Sequence, residues 1–324
     1  MSSIPAVATR SLGKTGIQVT PIGLGVMELS GGGGMLGRVF PIIPEAEKNA
    51  IIKAALDGGI NWFDTAEIYG AGVSERSLAT GLKAAGRRPG DVVVATKWFP
   101  LFRTAANIPL TIADRLRFLD GYPIDLFYVH NPHSFSSPEA EMNAMADLVE
   151  AGKIRSVGVS NFGPERMRRA YAALQKRGLP LAANQMQYSL VHRRIETDGT
   201  LETARELGVT IVAYTPLGSG LLSGKYHKHP ELLKNKSLIW RSRMQRRLEA
   251  SRPLVAALEE IAANYQATAA QVALNWLIYY SGEIVVTIPG ATKVQQAAEC
   301  AAAMQFRLSP AELARLDELS RSFR

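Results

Sequence analysis

The chain has 324 residues, 47% of them hydrophobic and 20% charged, with a formal net charge of +8. That suffices for one large core or two small ones, and an α/β barrel reaches this size as a single domain. No apolar run is long enough to cross a bilayer as a helix, so no membrane partner is expected.

In chain order, RSLGKTGIQVTPIGLG reads as a hairpin followed by a strand, with Gly16 in the turn and Val19 and Ile22 opening the apolar alternation. GGGG at 31–34 reads as a flexible loop directly after that strand. A helix at about 44–58 precedes strand INWFD, and an acid-led helix from Ser74 precedes DVVVATK. Helices near 109–120 and 138–151 precede IDLFYVH and IRSVGVS, and helices near 164–177 and 199–207 precede PLAANQM and VTIVAY. A long basic loop follows, then helices from about 250 and 268, strand EIVVTIP, and helices from about 293 and 309.

The pattern is eight strands, each followed by a helix. Most strands are continuous apolar runs, as parallel strands covered on both faces must be. A doubly wound open sheet gives similar local patterns, but no Gly-x-Gly-x-x-Gly turn opens a helix near the start. The expected fold is a (β/α)8 TIM barrel over residues 1–324 as one domain, with an N-terminal β-hairpin and extra C-terminal helices.

Four polar residues fall at or after three successive strand ends: Asp64 and Tyr69 in NWFDTAEIYG, Lys97 in VVVATKW and His130 in IDLFYVH. A barrel brings such ends to one rim, where barrel enzymes carry their active sites. A nearby ammonium favours the phenolate form of a tyrosine, which makes Tyr69 a candidate acid and Lys97 its partner. Asp64 would hold Lys97, and a neutral His130 would orient a carbonyl oxygen. Protonating that oxygen is half of a carbonyl reduction. The other half is a hydride that no side chain supplies, so a nicotinamide cofactor is implied. Singly, each residue has a structural alternative, a helix cap for the aspartate or a core position for the histidine.

The charge has an address: eight Lys/Arg lie between Lys225 and Arg247 against one acid, Glu231. Such a segment suits a phosphorylated cofactor or a solvated surface helix, and no nucleic-acid motif accompanies it. Cys300 is the sole cysteine, and MSSIPAVATRSLG lacks the regions of a secretory signal, so a cytoplasmic location is expected. His227 and His229 have no acidic cluster beside them, so no metal site is expected.

The ordered motifs LGKTGIQVTPIGLG, FDTAEIYGAGVSE, VATKW, DLFYVH, GKIRSVGVSNF, NQMQYSL, VAYTPLGSGLLSGKY and IPGATKVQQAAE resemble the aldo-keto reductases over nearly the whole chain, in the branch that holds plant and bacterial reductases and potassium-channel β-subunits. The resemblance implies a barrel that uses NADPH to reduce aldehydes or ketones. It places Asp64, Tyr69, Lys97 and His130 at the tetrad positions, with Tyr69 as the acid. It also implies that Ser160, Asn161 and Gln185 bind the carboxamide, that Tyr214 stacks on the nicotinamide, and that Leu217, Gly218, Ser219, Gly220 and Leu221 wrap the pyrophosphate, with Lys225 adding charge. Gly290, Thr292, Lys293, Gln296 and Glu299 match the adenosine end, Lys293 being the partner for a 2′-phosphate. Two positions depart from the family pattern: Gln296 where many members have Arg, and Cys300 where Asn usually contacts adenine.

Met27, Trp98, Phe99 and Phe102 are the expected substrate contacts, favouring a hydrophobic or aromatic carbonyl. Two other readings share these residues: an NAD(P)+-dependent alcohol or sugar dehydrogenase, and a cofactor-sensing binding subunit. The channel β-subunits carry Asn at the position of His130, which disfavours the second. The sequence leaves the oligomeric state open.

Overall fold

A computed structural model describes residues 8–34, 40–233 and 238–324. Strands β1 (Arg10–Ser11) and β2 (Gln18–Val19) form an antiparallel hairpin. The main sheet runs β3 (Leu24–Gly25), β4 (Trp62–Asp64), β5 (Val93–Trp98), β6 (Leu126–Val129), β7 (Val157–Ser160), β8 (Leu181–Gln187), β9 (Thr210–Tyr214) and β10 (Val285–Thr287), eight strands in sequence order and all parallel. Parallel bridges from Ile22 to Thr287 and from Gly25 to Gly290 join the last strand to the first and close the barrel.

Strand alternation decides what faces the site. Trp62 and Leu126 belong to the interior cluster, whereas Phe63 and Phe127 belong to the outer core beneath the helices. Two-residue periodicity therefore points Asp64 inward. In β5, Val93 and Ala95 face the interior and Val94 and Trp98 the outside, so Lys97 is inward as well. The hairpin plugs the opposite end: Leu12, Ile17 and Val19 join the interior cluster, and Gly13 N–H donates to Thr210 Oγ1 at 2.8 Å, at the start of β9.

The helices are α1 (Glu45–Asp57), α2 (Val73–Ala84), α3 (Ile108–Phe118), α4 (Pro138–Glu150), α5 (Pro164–Gln175), α6 (Thr200–Leu207), α7 (Lys225–Lys228), α8 (Leu238–Asn264), α9 (Ala269–Tyr280), α10 (Val294–Ala302) and α11 (Pro310–Leu319). Several start where a cap dictates. Ser137 caps α4, and the reciprocal pairs Thr268–Gln271 and Ser309–Glu312 box the starts of α9 and α11, each cap contributing about 1 kcal/mol. No helix among the described residues is long and apolar enough to cross a membrane.

Two local expectations need correction. The last part of the basic loop is helical, because α8 begins at Leu238 rather than near 250. Met244, Leu248, Ser251 and Val255 are all buried and give it an inner face that the arginines between them conceal in the sequence. The glycine run is not simply a flexible loop. A Cβ on Gly31 would lie 2.1 Å from the Pro41 carbonyl oxygen, and one on Gly33 would lie 2.5 Å from that of Gly70. These glycines allow close backbone approach, which L-residues with a Cβ cannot make. Residues 35–39 and 234–237, with Lys234 and Lys236 of the basic segment, lie outside the described residues.

Candidate active site at the barrel rim

Asp64 ends β4, Lys97 lies in β5, and His130 follows β6. Tyr69 stands on the loop between β4 and α2. Gly70, Ala71 and Gly72 follow it, all with positive φ (69°, 53° and 87°), forming a sharp turn that returns the chain to α2. Ala71 accepts a left-handed conformation that costs an L-residue about 1–2 kcal/mol.

Lys97 Nζ meets three oxygens: a carboxylate oxygen of Asp64, the Thr65 carbonyl at 2.8 Å and the Tyr69 hydroxyl at 3.5 Å. Gln185 Nε2 donates to the other carboxylate oxygen of Asp64 at 2.9 Å. The His130 ring lies edge-on to Tyr69, with centroids 5.7 Å apart, and edge-on to Phe99 at 5.8 Å. Its Nδ1 is buried and has no hydrogen-bond partner among the described residues.

Burial dominates the electrostatics. It lowers the His130 pKa well below the ordinary value, and the Lys97 charge adds to this, so the imidazole is neutral. For Lys97, burial opposes the charge, but Asp64 and Tyr69 together outweigh it and the pKa is raised. Burial pushes the Asp64 carboxyl up against the pull of Lys97 and Gln185. These two shifts oppose each other within one pair; that of Lys97 agrees with the geometry, since its ammonium is ringed by oxygens. Tyr69 differs from the expectation that Lys97 lowers it. Burial raises the phenol more than Lys97 lowers it.

The other expected residues form a second connected group. Tyr214 OH donates to Asn161 Oδ1 at 2.9 Å, Asn161 Nδ2 donates to Ser160 Oγ at 3.1 Å, and Ser160 Oγ donates to the Gln185 carbonyl at 3.0 Å. Gln185 joins this chain to Asp64. Asn161 holds φ of 60°, an arrangement that asparagine tolerates better than most residues.

The segment after β9 is a tight coil, with positive φ at Thr215, Gly218, Ser219, Gly220 and Gly224. The N–H groups of Gly218, Gly220 and Leu221 donate to carbonyls within the coil. These three N–H groups are therefore already engaged within the coil and do not stand open to a phosphate. Leu221 is buried and Leu217 half-buried against the core. The stem of exposed Lys225 crosses Gly220, where a Cβ would meet its Cε at 2.8 Å.

At the far end, Gly290 bridges to Gly25 of β3. Thr292 N–H and hydroxyl both donate to Gln296 Oε1, at 2.8 and 3.1 Å, and Gln295 donates to Glu299 at 2.8 Å. Lys293 is exposed at the start of α10. Cys300 is buried, and burial, with Glu299 and Glu28, pushes its thiol up to about 12, which leaves it an inert packed side chain.

On the substrate side, Met27 and Phe99 are half-buried. Trp98 does not belong with them. It is fully buried in the outer core, and its indole N–H donates to Asn107 Oδ1 at 3.0 Å. Strand alternation requires this, because Lys97 points inward. Phe102, 78% exposed, pairs with Phe135, 72% exposed, at a centroid distance of 6.4 Å.

Sequence reasoning missed two features. Glu67, inside the DTAEIY motif, accepts from the Phe99 backbone N–H at 3.0 Å and pairs with Arg103 and, at 2.9 Å, with Arg115. Arg115 also pairs with buried Glu75 at 3.0 Å. This cluster ties the Tyr69 loop to Phe99; its only signal was an acid between two apolar residues. Glu28 is the other, its carboxyl lying directly over Gly290.

Comparison with known proteins follows the same lines. The model of the Aldo/keto reductase family matches residues 21–321. The chain is 38% identical over 280 residues to an uncharacterized oxidoreductase of Mycobacterium bovis, covering 85% of this chain and 82% of that protein. It is 32% identical over 315 residues to the Glycine max protein named probable aldo-keto reductase 1, covering 95% and 87%. Its structure resembles that of the glycerol dehydrogenase of Gluconobacter oxydans with a TM-score of 0.78 at 28% identity, covering 98% of this chain and 95% of the other.

Proposed function

This chain belongs to the aldo/keto reductase family, a family of oxidoreductases, and on that premise we propose that it reduces an aldehyde or ketone to the alcohol with NADPH. The observation that carries the reading is the line from Asp64 through Lys97 to the Tyr69 hydroxyl, closed by His130. Tyr69 holds its proton at neutral pH, as a donor must. As that proton moves to a carbonyl oxygen, Lys97 stabilises the developing phenolate, and Asp64 fixes Lys97 in place. Neutral His130 has a ring nitrogen without a partner among the described residues and donates from the ring to the same oxygen, orienting it.

A nicotinamide cofactor would supply the hydride. The residues fit such a group in several respects. Ser160, Asn161 and Gln185 carry amide-compatible donors and acceptors at adjoining strand ends, and the Tyr214 ring stands beside them. Leu217 to Leu221 form a shaped coil under the Lys225 cation, and Gly290, Thr292, Lys293, Gln296 and Glu299 line the far end. Exposed Lys293 is the partner for a 2′-phosphate and the reason to prefer NADPH. Met27, Phe99 and the exposed Phe102–Phe135 pair favour a hydrophobic or aromatic carbonyl. We read the chain as one cytoplasmic domain.

The reverse reaction, alcohol oxidation with NADP+, uses the same groups backwards, and the likeness to a glycerol dehydrogenase favours including it. NADPH oxidation, followed by absorbance with aromatic aldehydes, alkyl aldehydes and sugars and with NADH in parallel, tests the reading. Turnover with an aldehyde and a preference for NADPH support it. Tight NADPH binding without turnover on any carbonyl would favour a sensing subunit.

A further inference from the structure

Glu28 is a carboxyl out of place. It sits in the 3-10 turn Met27–Ser30 directly after β3. A Cβ at Gly290 would lie 2.2 and 2.3 Å from its two carboxylate oxygens, so the glycine makes room for this side chain. Glu28 keeps partial exposure, yet burial raises its carboxyl pKa to about 7, offset only by its own backbone.

Among the described residues, the groups around Glu28 give it no cation. Its charge acts on Tyr69, on the loop after β4, and on Cys300 of α10, which follows Glu299 in the chain. α2 packs on the turn through Ser74 Oγ donating to the Val26 carbonyl, and its buried acid Glu75 is turned to Arg115 and Thr96. Lys48 of α1 donates to Ser77 of α2. None of these basic groups shifts Glu28.

The contact with Gly290 places Glu28 beside the Gly290–Glu299 end of the cleft. The charge on Glu28 bears on Tyr69, at the end where hydride chemistry belongs, and on Cys300, at the Gly290–Glu299 end. Glu28 therefore stands between the two ends of a dinucleotide laid across the rim, where such a molecule carries its anionic diphosphate. A carboxylate and a phosphate brought together in a partly desolvated cleft would not both stay charged without cost.

We propose that Glu28 stands against the middle of the bound cofactor and takes up one proton from solvent as the cofactor binds, so that this chain holds its cofactor less tightly as the pH rises. This rests on the reading that the cleft takes NADP(H). Below pH 7 the carboxyl already carries its proton and affinity is level. Above it, each pH unit weakens binding by up to tenfold, until the carboxyl of the complex also ionises. His130 is neutral throughout this window, and the 2′-phosphate loses its second proton with a pKa of about 6, so neither accounts for a loss of affinity above pH 7.

The test is NADPH affinity by fluorescence titration from pH 6.5 to 9, with calorimetry at pH 8 in two buffers of different ionisation enthalpy. The wild-type protein should lose affinity severalfold to tenfold per unit above pH 7, with uptake of up to one proton. Glu28→Gln should bind NADPH with level affinity, more tightly than wild type at pH 8.5, and without uptake. Cys300→Ser should keep the wild-type profile. A level wild-type profile without proton uptake overturns the proposal, even if Glu28→Gln fails to fold, and so does a Glu28→Gln protein that keeps the wild-type pH dependence. Failure to bind NADPH at any pH overturns the cofactor reading itself, and the proposal with it.

Discussion

Lys97 and Asp64 form an ion pair with 0% and 2% of their side chains exposed, at the meeting point of β4 and β5. Such a pair stands only because the remaining valences are met: Thr65 and Tyr69 accept from the ammonium, and Gln185 donates to the carboxylate. Taking away one partner leaves a charge stranded in a low-dielectric site. Asp64→Ala should destabilise the fold by about 3–5 kcal/mol in urea titration, and should lower turnover by depriving Lys97 of its anchor. An unchanged unfolding midpoint would mean that the pair is not buried as described.

Arg115 is the hinge of a second buried cluster, touching both Glu67 and Glu75. Because Glu67 also holds the Phe99 N–H, Arg115 reaches Tyr69 only through the loop. Arg115→Met should therefore destabilise by about 3 kcal/mol or more. In the folded fraction it should lower kcat with carbonyl substrates while leaving NADPH affinity within a few-fold. Equal losses in both would place Arg115 nearer the cofactor.

Glu75 gives the fold a pH signature. Burial, opposed by Arg115 and Thr96, raises its pKa from 4.5 to about 7. A raised folded-state value means that its contribution is full below pH 4.5 and is lost as the pH rises through 7. Wild type should thus lose stability relative to Glu75→Gln between pH 5 and 7.5, on the order of 3 kcal/mol at the upper end. Glu28, raised in the same direction, is present in both proteins and cancels in the difference. A stability difference independent of pH would contradict this assignment.

Gly23 lies face to face with the Trp62 indole: a Cβ there would fall 2.3 Å from ring atom Cε2. Trp62 is wholly buried and its N–H donates to the Thr20 carbonyl at 2.9 Å, so it has little room to move. Gly23→Ala should cost about 1–3 kcal/mol by overpacking, read as a lower urea midpoint. No change would mean that the barrel interior yields more than its packing suggests.

How far the sequence foretold this depends on the kind of signal. Asp64 ends β4, Lys97 stands one residue before the end of β5 and His130 follows β6, and alternation turns them inward, so the meeting of these groups at one rim was legible before any fold was known. The same alternation, applied one residue further, turns Trp98 outward; aromatic character alone misled there. The start of α8 was hidden because its buried positions, Met244, Leu248 and Ser251, are spaced among arginines. Glu28 and Glu67 left only a faint signal, since an acid between apolar neighbours becomes meaningful only when its spatial partners are known, Gly290 for one and Arg115 for the other. The direction of the Tyr69 shift was likewise hidden, because burial and Lys97 oppose each other and only the structure ranks them.

The most direct measurement is Tyr69→Phe, assayed for NADPH binding by fluorescence and for carbonyl turnover with the best substrate of the panel. Phenylalanine keeps the ring against His130 and removes only the hydroxyl next to Lys97. The account predicts NADPH affinity within a few-fold of wild type and turnover lower by about 10²–10⁴-fold. Undiminished turnover in a variant that binds NADPH normally would contradict it.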